Sequence, residues 1–580
     1  MTHLQEEIIR RRITDDELNV LYEGNIENVL DYKSFDIYKD LDKLKDVDIA
    51  SNLIQDAIKN NKHICISADY DTDGIPSLAT VSYILFNMLK VNKENVSVIV
   101  GGRTYGRGVC THVLNKLKGL KTAKGKDIDL LITIDHGSTD QNSYRQLKEY
   151  YPNIKILVTD HHTVEQDMYP ISADAFVNVK RPDSAYTKTI CGHQTIFLVL
   201  LKTHYDLTGV KDITLFEPVL PYVALSTMGD MMPMKYPLNR YLIKYGLQVW
   251  NKRLDTKLNT ITSALNLTSD ISPDQLSMTI APWVNSGNRL GYESYVVKTF
   301  IAKDRTIYDP LIDKIIEINN YRKSLTSSIT KTVLDGLEFS NDVYGIVVTI
   351  DSPQALVNGV IAGNIAQMYG RPTICFNDFK KDVLQGSGRA GEGNVDVLKI
   401  IRAIQADHPN LISSANGHAA AFGISILRDN LDKFKSLFNE YTKNYMSNIP
   451  IPTDIHSEYT MPVENLTYHF VKQIKDLAPY GLDFKDPIIK VFGLKIEEVI
   501  PIKTFYKVKF KSIDDKISLD GMCFFRVSMN NGLNYSNFKQ ILTKGTQVVV
   551  ECNVGISTYG NRSFVSLNIL TISPDRSLIE

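Results

Sequence analysis

Cysteine is scarce in this chain of 580 residues, and no two cysteines form a CxxC pair. They lie far apart and mostly inside apolar runs, namely Cys65, Cys110, Cys191, Cys375, Cys523 and Cys552. This spacing predicts reduced, buried thiols rather than a disulfide framework.

Long apolar runs and an excess of charge are also missing. No run approaches the roughly 18 apolar residues of a membrane span, and "MTHLQEEIIRRRITDDE" at the start is not typical of a signal peptide. We therefore expect a soluble, cytoplasmic protein. The formal net charge of -1 excludes a globally basic protein. A polyanion therefore needs basic residues gathered around a site.

The chain has no internal repeat, and its first half alternates two kinds of pattern. From residue 50 to about 235, helical patterns alternate with short apolar runs: "HICISA", "NVSVIV", "DLLITI" and "IKILVT". This alternation predicts a parallel α/β sheet, in which ligands bind outside the carboxyl ends of the strands.

Three further segments follow the predicted sheet. Residues 305–335 carry apolar residues at helical spacing and predict one long connector helix. A strand, "YGIVVTI", and later patterns predict a smaller α/β domain that ends near residue 445. Beyond a proline-containing linker at 446–454, about five short strands fit a small oligonucleotide-binding barrel. Strand counting alone does not separate this barrel from other barrels.

Acidic residues and histidines follow the predicted strands. They are Asp69, Asp71 and Asp73 after the first, then Asp135 with His136, then Asp160 with His161 and His162; Asp230 follows another apolar stretch. Each segment alone is more typical of a turn than of a ligand. Together, and without cysteine, they argue against structural zinc and predict a pair of hard cations, Mn²⁺ or Mg²⁺.

The order "DYDTDG", "IDHG", "TDHH" and "STMGD" resembles the DHH phosphoesterase superfamily and, within it, the RecJ single-strand-specific exonucleases. "NRYLIKYGL", "VNSGNRLG", "GSGRAG" and "NGHAAAFG" also resemble elements found in that order in RecJ. The resemblance implies an α/β fold with a parallel-sheet DHH catalytic domain at 1–300 that includes an N-terminal helical segment. It further implies a connector helix at 301–335, a DHHA1-type substrate-binding domain at 336–445 and an OB-like nucleic-acid-binding barrel at 455–580.

The resemblance also implies a two-metal centre. The ligands implied for one ion are Asp69, Asp71 and Asp135, and those for the other are Asp73, Asp135, His161 and Asp230. Asp135 would therefore bridge the two ions. His162 would face the substrate phosphate, and Asp160 would orient a histidine without binding metal.

Basic residues are candidates for holding a polyanion. "GGRTYGRG" brings Arg103 and Arg107 together with glycines and Tyr105, which suits substrate contact, although a flexible loop with solvated charges fits equally well. The resemblance adds Arg289 and Arg389 as phosphate contacts and His418 near the 5′ end of a strand.

A row of lysines in the predicted barrel has two interpretations. The residues are Lys503, Lys507, Lys509 and Lys511, interleaved with aromatic residues. Strand alternation makes this either a face that tracks a single strand or an ordinary solvent face.

The chain departs from the usual RecJ pattern at Ala68, Pro76, His136, Asn416 and Phe422. No implied metal ligand is missing. The departures concern substrate fit and preferred length.

The resemblance implies a metal-dependent 5′-to-3′ exonuclease that hydrolyses single-stranded DNA to mononucleotides. One alternative is a DHH phosphodiesterase for short oligonucleotides or cyclic dinucleotides, whose relatives lack the barrel. Another is a non-catalytic strand-binding scaffold, whose acids are expected to be eroded. A monomer acting with a single-strand-binding protein or a helicase is expected, in DNA repair, recombination or mobile-element replication.

Overall fold

The computed structural model describes the chain except residues 104, 165, 187–188, 337–341, 351–356, 381, 392–394, 448–456, 503–504, 524–541, 560–561 and 576–580. At 166, 378–380, 418, 505 and 558–559 only the backbone is described. The chain divides into two compact units. The first comprises Met1–Asn320 with Leu477–Lys485, and the second comprises Tyr321–Asp476 with Asp486–Glu580.

Helices of the first unit surround a parallel sheet. They are α1 His3–Arg10, α2 Asp15–Tyr22, α3 Val47–Lys59, α4 Gly74–Tyr83, α5 Thr111–Gly119, α6 Gln141–Tyr150, α7 Gly192–Thr208, α8 Leu220–Gly229, α9 Pro237–Asn251, α10 Thr256–Ala264, α11 Pro273–Gln275, α12 Ala281–Arg289 and α13 Glu293–Ile301. Capping boxes at Thr2 and Thr14 begin α1 and α2, because each hydroxyl accepts a backbone N–H that a helix leaves unpaired.

The sheet of the first unit has five parallel strands. They are β1 Ile64–Ala68, β2 Val96–Val100, β3 Leu130–Ile134, β4 Lys155–Asp160 and β5 Ala175–Asn178, in the order β2-β1-β3-β4-β5. Every residue of β1 and β3 is buried, as expected for parallel strands that helices cover on both faces. The predicted parallel α/β sheet is confirmed.

A single helix, α14 Arg305–Asp335, follows the first sheet domain. It coincides with the predicted long helix. No helix among the described residues is long and apolar enough to cross a membrane.

The second unit contains a smaller mixed sheet. Its strands are β6 Ile346–Ile350, β7 Thr373–Lys380, β8 Val383–Arg389, β9 Ser414–His418 and β10 Ala421–Leu427, in the order β6-β7-β8-β10-β9. Only β6 and β7 pair in parallel. The helices of this part are α15 Asn358–Tyr369, α16 Val397–Asp407 and α17 Leu431–Ser447. Phe434 and Phe438 of α17 are buried in the same core as Phe376 of β7.

A closed barrel occupies the rest of the second unit. Its elements are β11 Tyr459–Pro462, α18 Tyr468–Asp476, β12 Ile489–Ile502, β13 Phe505–Ser512, β14 Ser518–Cys523, β15 Gln547–Tyr559 and β16 Arg562–Pro574. The strand order β12-β13-β14-β16-β15 is closed by pairing of β15 with β12, and β11 adds to β12. Closure leaves the barrel without a free edge among these strands. The predicted OB-like barrel is therefore confirmed, whereas the domain limits at 300, 335, 445 and 455 stay predictions.

Candidate metal centre

Three strands of the first sheet end side by side. Ala68 of β1 pairs with Ile134 of β3, and Ile134 pairs with Thr159 of β4. The ladder continues for one more residue, since the Asp69 amide donates to the Ile134 carbonyl (3.1 Å) and the Asp135 amide to that of Thr159 (3.0 Å). The acids that follow these strands therefore meet at one edge of the sheet.

Turns after the strands bring the carboxylates close to one another at this edge. Asp71 Oδ1 accepts the amides of Asp73 (2.9 Å) and Gly74 (3.3 Å), which closes the loop between β1 and α4. Asp135 has a φ of 62°, a left-handed conformation that turns the chain directly after β3. Asp230 follows helix α8 rather than a strand, as its C-cap residue.

The structure brings the predicted ligands together in overlapping groups. In each group, one possible ligand atom per residue lies within 4.8 Å of the others. The groups are Asp69, Asp71 and Asp135; Asp73, His161 and Asp230; and Asp135, His161 and His162. The first group contains all three ligands expected for one ion, and the second contains those expected for the other ion except Asp135.

His161 connects the second group to Asp135. Its Nε2 atom lies 3.2 Å from Asp135 Oδ1, 3.5 Å from Asp230 Oδ2 and 3.8 Å from Asp73 Oδ2. One nitrogen thus faces oxygens from three separate segments of the chain. Such a convergence of hard oxygens with one imidazole suits Mn²⁺ or Mg²⁺.

Burial and the charges of neighbouring acids raise the pKa values of four of these aspartates, namely Asp69, Asp73, Asp135 and Asp230. Burial, followed by the charge of Asp71, raises the pKa of Asp69 to about 6. Burial likewise raises the pKa of Asp73 to about 7 and that of Asp230 to about 7. The pKa of Asp135 is raised well above its usual value by burial and then by the neighbouring aspartates. A cation bound among them would remove this penalty.

Several polar atoms at the centre have no hydrogen-bond partner. Asp135 Oδ1, Asp230 Oδ2 and His161 Nδ1 are buried and unpaired among the described residues. Buried polar atoms normally have a hydrogen-bond partner, so unpaired carboxylate oxygens in one buried site indicate that a cation binds there. The residues present fit a divalent-metal centre.

Asp160 and His162 form a separate pair beside the acids. The Asp160 carboxylate accepts His162 Nδ1–H at 2.8 Å and the amides of His161 (2.7 Å) and Ser138 (3.1 Å). Burial opposes the shift, but the contacts with His162 hold the pKa of Asp160 well below its usual value. This hydrogen bond fixes Nδ1 of His162 and leaves Nε2 of the same ring for another partner.

Two family models match the chain. The DHH family N-terminal domain matches residues 63–221, and the RecJ OB domain matches residues 457–571. The chain therefore resembles the RecJ exonucleases of the DHH family. It is 26% identical over 461 residues to the single-stranded-DNA-specific exonuclease RecJ of Haemophilus influenzae, covering 77% of each chain.

Solved structures share the fold of the RecJ-like chain. RecJ of Thermus thermophilus in complex with Mn²⁺ superposes with a TM-score of 0.69 at 19% identity, covering 91% of this chain and 72% of that one. The same protein in complex with Mg²⁺ gives a TM-score of 0.67 at 17% identity, covering 99% and 77%. Sequence identities this low show a shared fold alone.

The start of α7 contributes groups that the sequence patterns did not reveal. The amides of Gly192 (2.6 Å) and His193 (3.1 Å) donate to the two carboxylate oxygens of Asp73. Gly192 also lies against Asp135, where an added Cβ would be 2.6 Å from the Asp135 Cα atom. Only the "CGHQ" at the start of this helix, with Cys191 as its N-cap, marks the place in the sequence.

Helix α12 holds the same loop from another side. The Asn285 side chain accepts the Thr72 amide (3.0 Å), and the Asn288 side chain donates to the Tyr70 carbonyl (3.0 Å). Arg289, a predicted substrate contact, is the last residue of this helix. The "VNSGNRLG" motif therefore supports the acidic loop as well as presenting an arginine.

The other predicted substrate residues are spread over both units of the RecJ-like chain. Arg103 and Arg107 lie in the loop after β2. The Arg107 guanidinium donates a hydrogen bond to the Tyr70 hydroxyl and interacts electrostatically with the Asp69 carboxylate. Arg389 ends β8 in the second unit, where its guanidinium donates to the Gly388 carbonyl at 2.7 Å. His418 ends β9, and its side chain lies outside the described part of the chain.

The lysine face of the barrel is balanced by acids. Lys507 pairs with Asp520 (2.7 Å), Lys509 with Glu498 (2.8 Å) and Lys511 with Glu497 (2.7 Å), and Lys503 lies outside the described residues. Each pair joins neighbouring strands. The described part of this face therefore carries little net positive charge for a polyanion.

Proposed function

We propose that this RecJ-like chain is a metal-dependent 5′-to-3′ exonuclease that hydrolyses single-stranded DNA to mononucleotides. The observation that carries the proposal is the convergence of five aspartates and His161 at one sheet edge. The RecJ OB domain and the RecJ relatives named for single-stranded DNA support the substrate class. We also propose a cytoplasmic monomer that receives its strand from a single-strand-binding protein or a helicase.

The acids would hold two divalent cations. Asp69, Asp71 and Asp135 are the proposed ligands of one ion; Asp73, Asp135, His161 and Asp230 are those of the other. When bound, such ions supply positive charge for activating a water molecule and for stabilising charge at the scissile phosphate. Asp135 is the residue on which both sets depend.

Basic groups and histidines of both units would hold the strand. His162, with Nδ1 bound by Asp160, presents Nε2 to a phosphate oxygen. Arg103, Arg107 and Arg289 are the proposed phosphate contacts of the first unit, and Arg389 with His418 those of the second. Such contacts position a strand without reading its sequence.

The proposal is tested with end-blocked substrates. Single-stranded DNA blocked at its 5′ end, single-stranded DNA blocked at its 3′ end, duplex DNA and RNA are incubated with the full chain and Mn²⁺ or Mg²⁺. We expect mononucleotides from the 3′-blocked single strand, and little release from the 5′-blocked strand, duplex or RNA. Release that starts at the 3′ end would refute the proposed polarity.

Length dependence separates the proposal from the other DHH activity. Faster cleavage of two- to five-nucleotide fragments than of long strands would favour a phosphodiesterase for short oligonucleotides. Binding without any cleavage, at any Mn²⁺ concentration, would favour a scaffold. The closed barrel and the complete acid set support the exonuclease.

Gly192→Ala is expected to weaken Mn²⁺ binding by about tenfold or more, in the range for groups that support metal ligands. The new Cβ would meet Asp135 backbone and side-chain atoms at 2.5–2.8 Å, so Asp135 must move. Isothermal titration with Mn²⁺ measures the change. Gly119→Ala is the matched control, because its Cβ would meet nothing within 4 Å. Equal affinities in the two variants would contradict the prediction.

Lys509→Gln is expected to change single-strand affinity less than twofold and to leave its salt dependence unaltered. The ammonium already pairs with Glu498 at 2.8 Å, so little counterion release is lost. Fluorescence anisotropy of a labelled oligonucleotide at two salt concentrations measures both quantities. Glu498→Gln is the matched variant, and it should tighten binding by freeing the lysine. A fall of about one in the salt slope for Lys509→Gln would show a direct phosphate contact instead.

A further inference from the structure

A chain of buried hydrogen bonds runs behind the acidic loop and passes through His193. The His193 ring is fully buried. Its Nδ1 lies 2.7 Å from the Ser226 hydroxyl, and its Nε2 lies 2.8 Å from the Thr80 hydroxyl. The Ser226 hydroxyl in turn lies 2.9 Å from the Thr72 carbonyl, between Asp71 and Asp73.

The last hydrogen bond of this series, from Ser226 to the Thr72 carbonyl, determines the direction of the others. A carbonyl only accepts, so the single Ser226 hydrogen is donated to Thr72. His193 Nδ1 must then carry a proton and donate to Ser226 Oγ. In this neutral tautomer Nε2 is an acceptor, and it receives the Thr80 hydroxyl. Both ring nitrogens therefore have a hydrogen-bond partner in the tautomer that is protonated at Nδ1.

The two hydrogen-bond partners of the His193 ring lie on the helices that adjoin Asp73 and Asp230 of the second group. Thr80 is on α4, which begins directly after Asp73, and Ser226 is on α8, which ends directly before Asp230. His193 itself is in the first turn of α7, and its amide donates to Asp73 Oδ1 at 3.1 Å. One imidazole thus connects α4, α7 and α8 on the buried side of the site.

We propose that His193 is a positioning residue of the metal centre. Its ring holds α4, α7 and α8 in the arrangement in which Asp73 and Asp230 face the same cation. His193 itself touches neither metal nor substrate. This inference rests on the proposed function, because it deepens the account of that centre.

The principal test is Mn²⁺ binding by the full-length His193→Phe variant, measured by isothermal titration without substrate. Phenylalanine fills the cavity but makes neither hydrogen bond. We expect the affinity for Mn²⁺ to fall about 10- to 100-fold, the range for groups that orient metal ligands. In the nuclease assay, the Mn²⁺ concentration for half-maximal activity should rise by the same factor. The rate at saturating Mn²⁺ should change much less.

His63→Phe is the matched control. His63 is also fully buried and also makes two ring hydrogen bonds, to the Asp127 carbonyl (3.1 Å) and the Ser97 hydroxyl (2.9 Å). It precedes β1 and so lies at the opposite end of the strand from Asp69. A loss of stability alone would affect both variants, whereas a loss of Mn²⁺ affinity is expected only for His193→Phe.

Two further variants keep the test decisive if His193→Phe does not fold. His193→Asn places an amide N–H near the Nδ1 position, so it should retain more Mn²⁺ affinity than phenylalanine. Ser226→Ala removes the link to Thr72 at little cost in volume and should reproduce the loss. Wild-type affinity for Mn²⁺ in Ser226→Ala, or equal losses in the His193 and His63 variants, would overturn the proposal. Failure of the wild-type chain to bind Mn²⁺ or to cleave DNA would instead refute the proposed function.

Discussion

Asp135→Asn is expected to abolish exonuclease activity, with a loss of at least about 10³-fold in rate. Asp135 is common to both proposed ligand sets and lies 3.2 Å from His161. Asparagine preserves the shape but removes the negative charge that both cations need. Metal ions contribute several kcal/mol of charge stabilisation, and each 1.4 kcal/mol corresponds to about tenfold in rate.

Release of mononucleotides from a 5′-labelled single strand measures this effect, together with Mn²⁺ binding by calorimetry. Asp129→Asn is the matched control, because Asp129 precedes the same strand at its other end and accepts the His63 amide at 2.7 Å. We expect the control to remain active and the Asp135 variant to remain folded. Full activity in Asp135→Asn would refute the two-metal assignment.

The acidic edge could be predicted because of a property of parallel sheets. Acids placed at or directly after the ends of β1, β3 and β4 must meet, since the carboxyl ends of parallel strands share one edge. No contact information was needed for Asp69, Asp135 or Asp160. Asp230 is different, since it caps a helix and joins His161 only through the packing of α8. The ordered motifs, rather than periodicity, placed it in the site.

The groups that hold the acidic loop from α7 and α12 could not be predicted, because no residue type or local motif marks them as partners of that loop. Gly192 and His193 bind Asp73 through backbone amides, which every residue except proline possesses. Asn285 holds Thr72 across 213 positions of sequence. Such contacts depend on how α7 and α12 pack, which no local pattern encodes.

The net charge of the lysine face of the barrel could not be predicted from the sequence either. Alternation correctly placed Lys507, Lys509 and Lys511 on one face of a strand. Their neutralisation depends on acids of β12 and β14, whose register against β13 includes a bulge between Ile496 and Glu498. The charges of one strand alone therefore could not decide between a strand-binding face and an ordinary solvent face.

Arg240→Met is expected to lower the free energy of unfolding of the first unit by about 3 kcal/mol or more. The guanidinium is fully buried and donates to the carbonyls of Leu477 (2.6 Å), Pro479 (3.0 Å) and Met234 (3.4 Å). Methionine would leave these acceptors unpaired, and each buried unsatisfied group costs about 1–3 kcal/mol. Stacking of the guanidinium on the Phe484 ring, 4.5 Å from its centroid, would be lost as well.

Burial lowers the pKa of Arg240, and no carboxylate of the described residues lies within ion-pair distance. Arg240 is therefore held by three carbonyls and the Phe484 ring, and these contacts fasten Leu477–Lys485 within the first unit. Arg240→Lys should be intermediate, because one ammonium cannot match the fork of a guanidinium. Urea denaturation followed by tryptophan fluorescence compares these variants with Arg10→Ala, whose exposed ion pairs with Glu6 and Asp15 should be worth little. Equal small losses for Arg240→Met and Arg10→Ala would mean that solvent, and not Arg240, satisfies the three carbonyls.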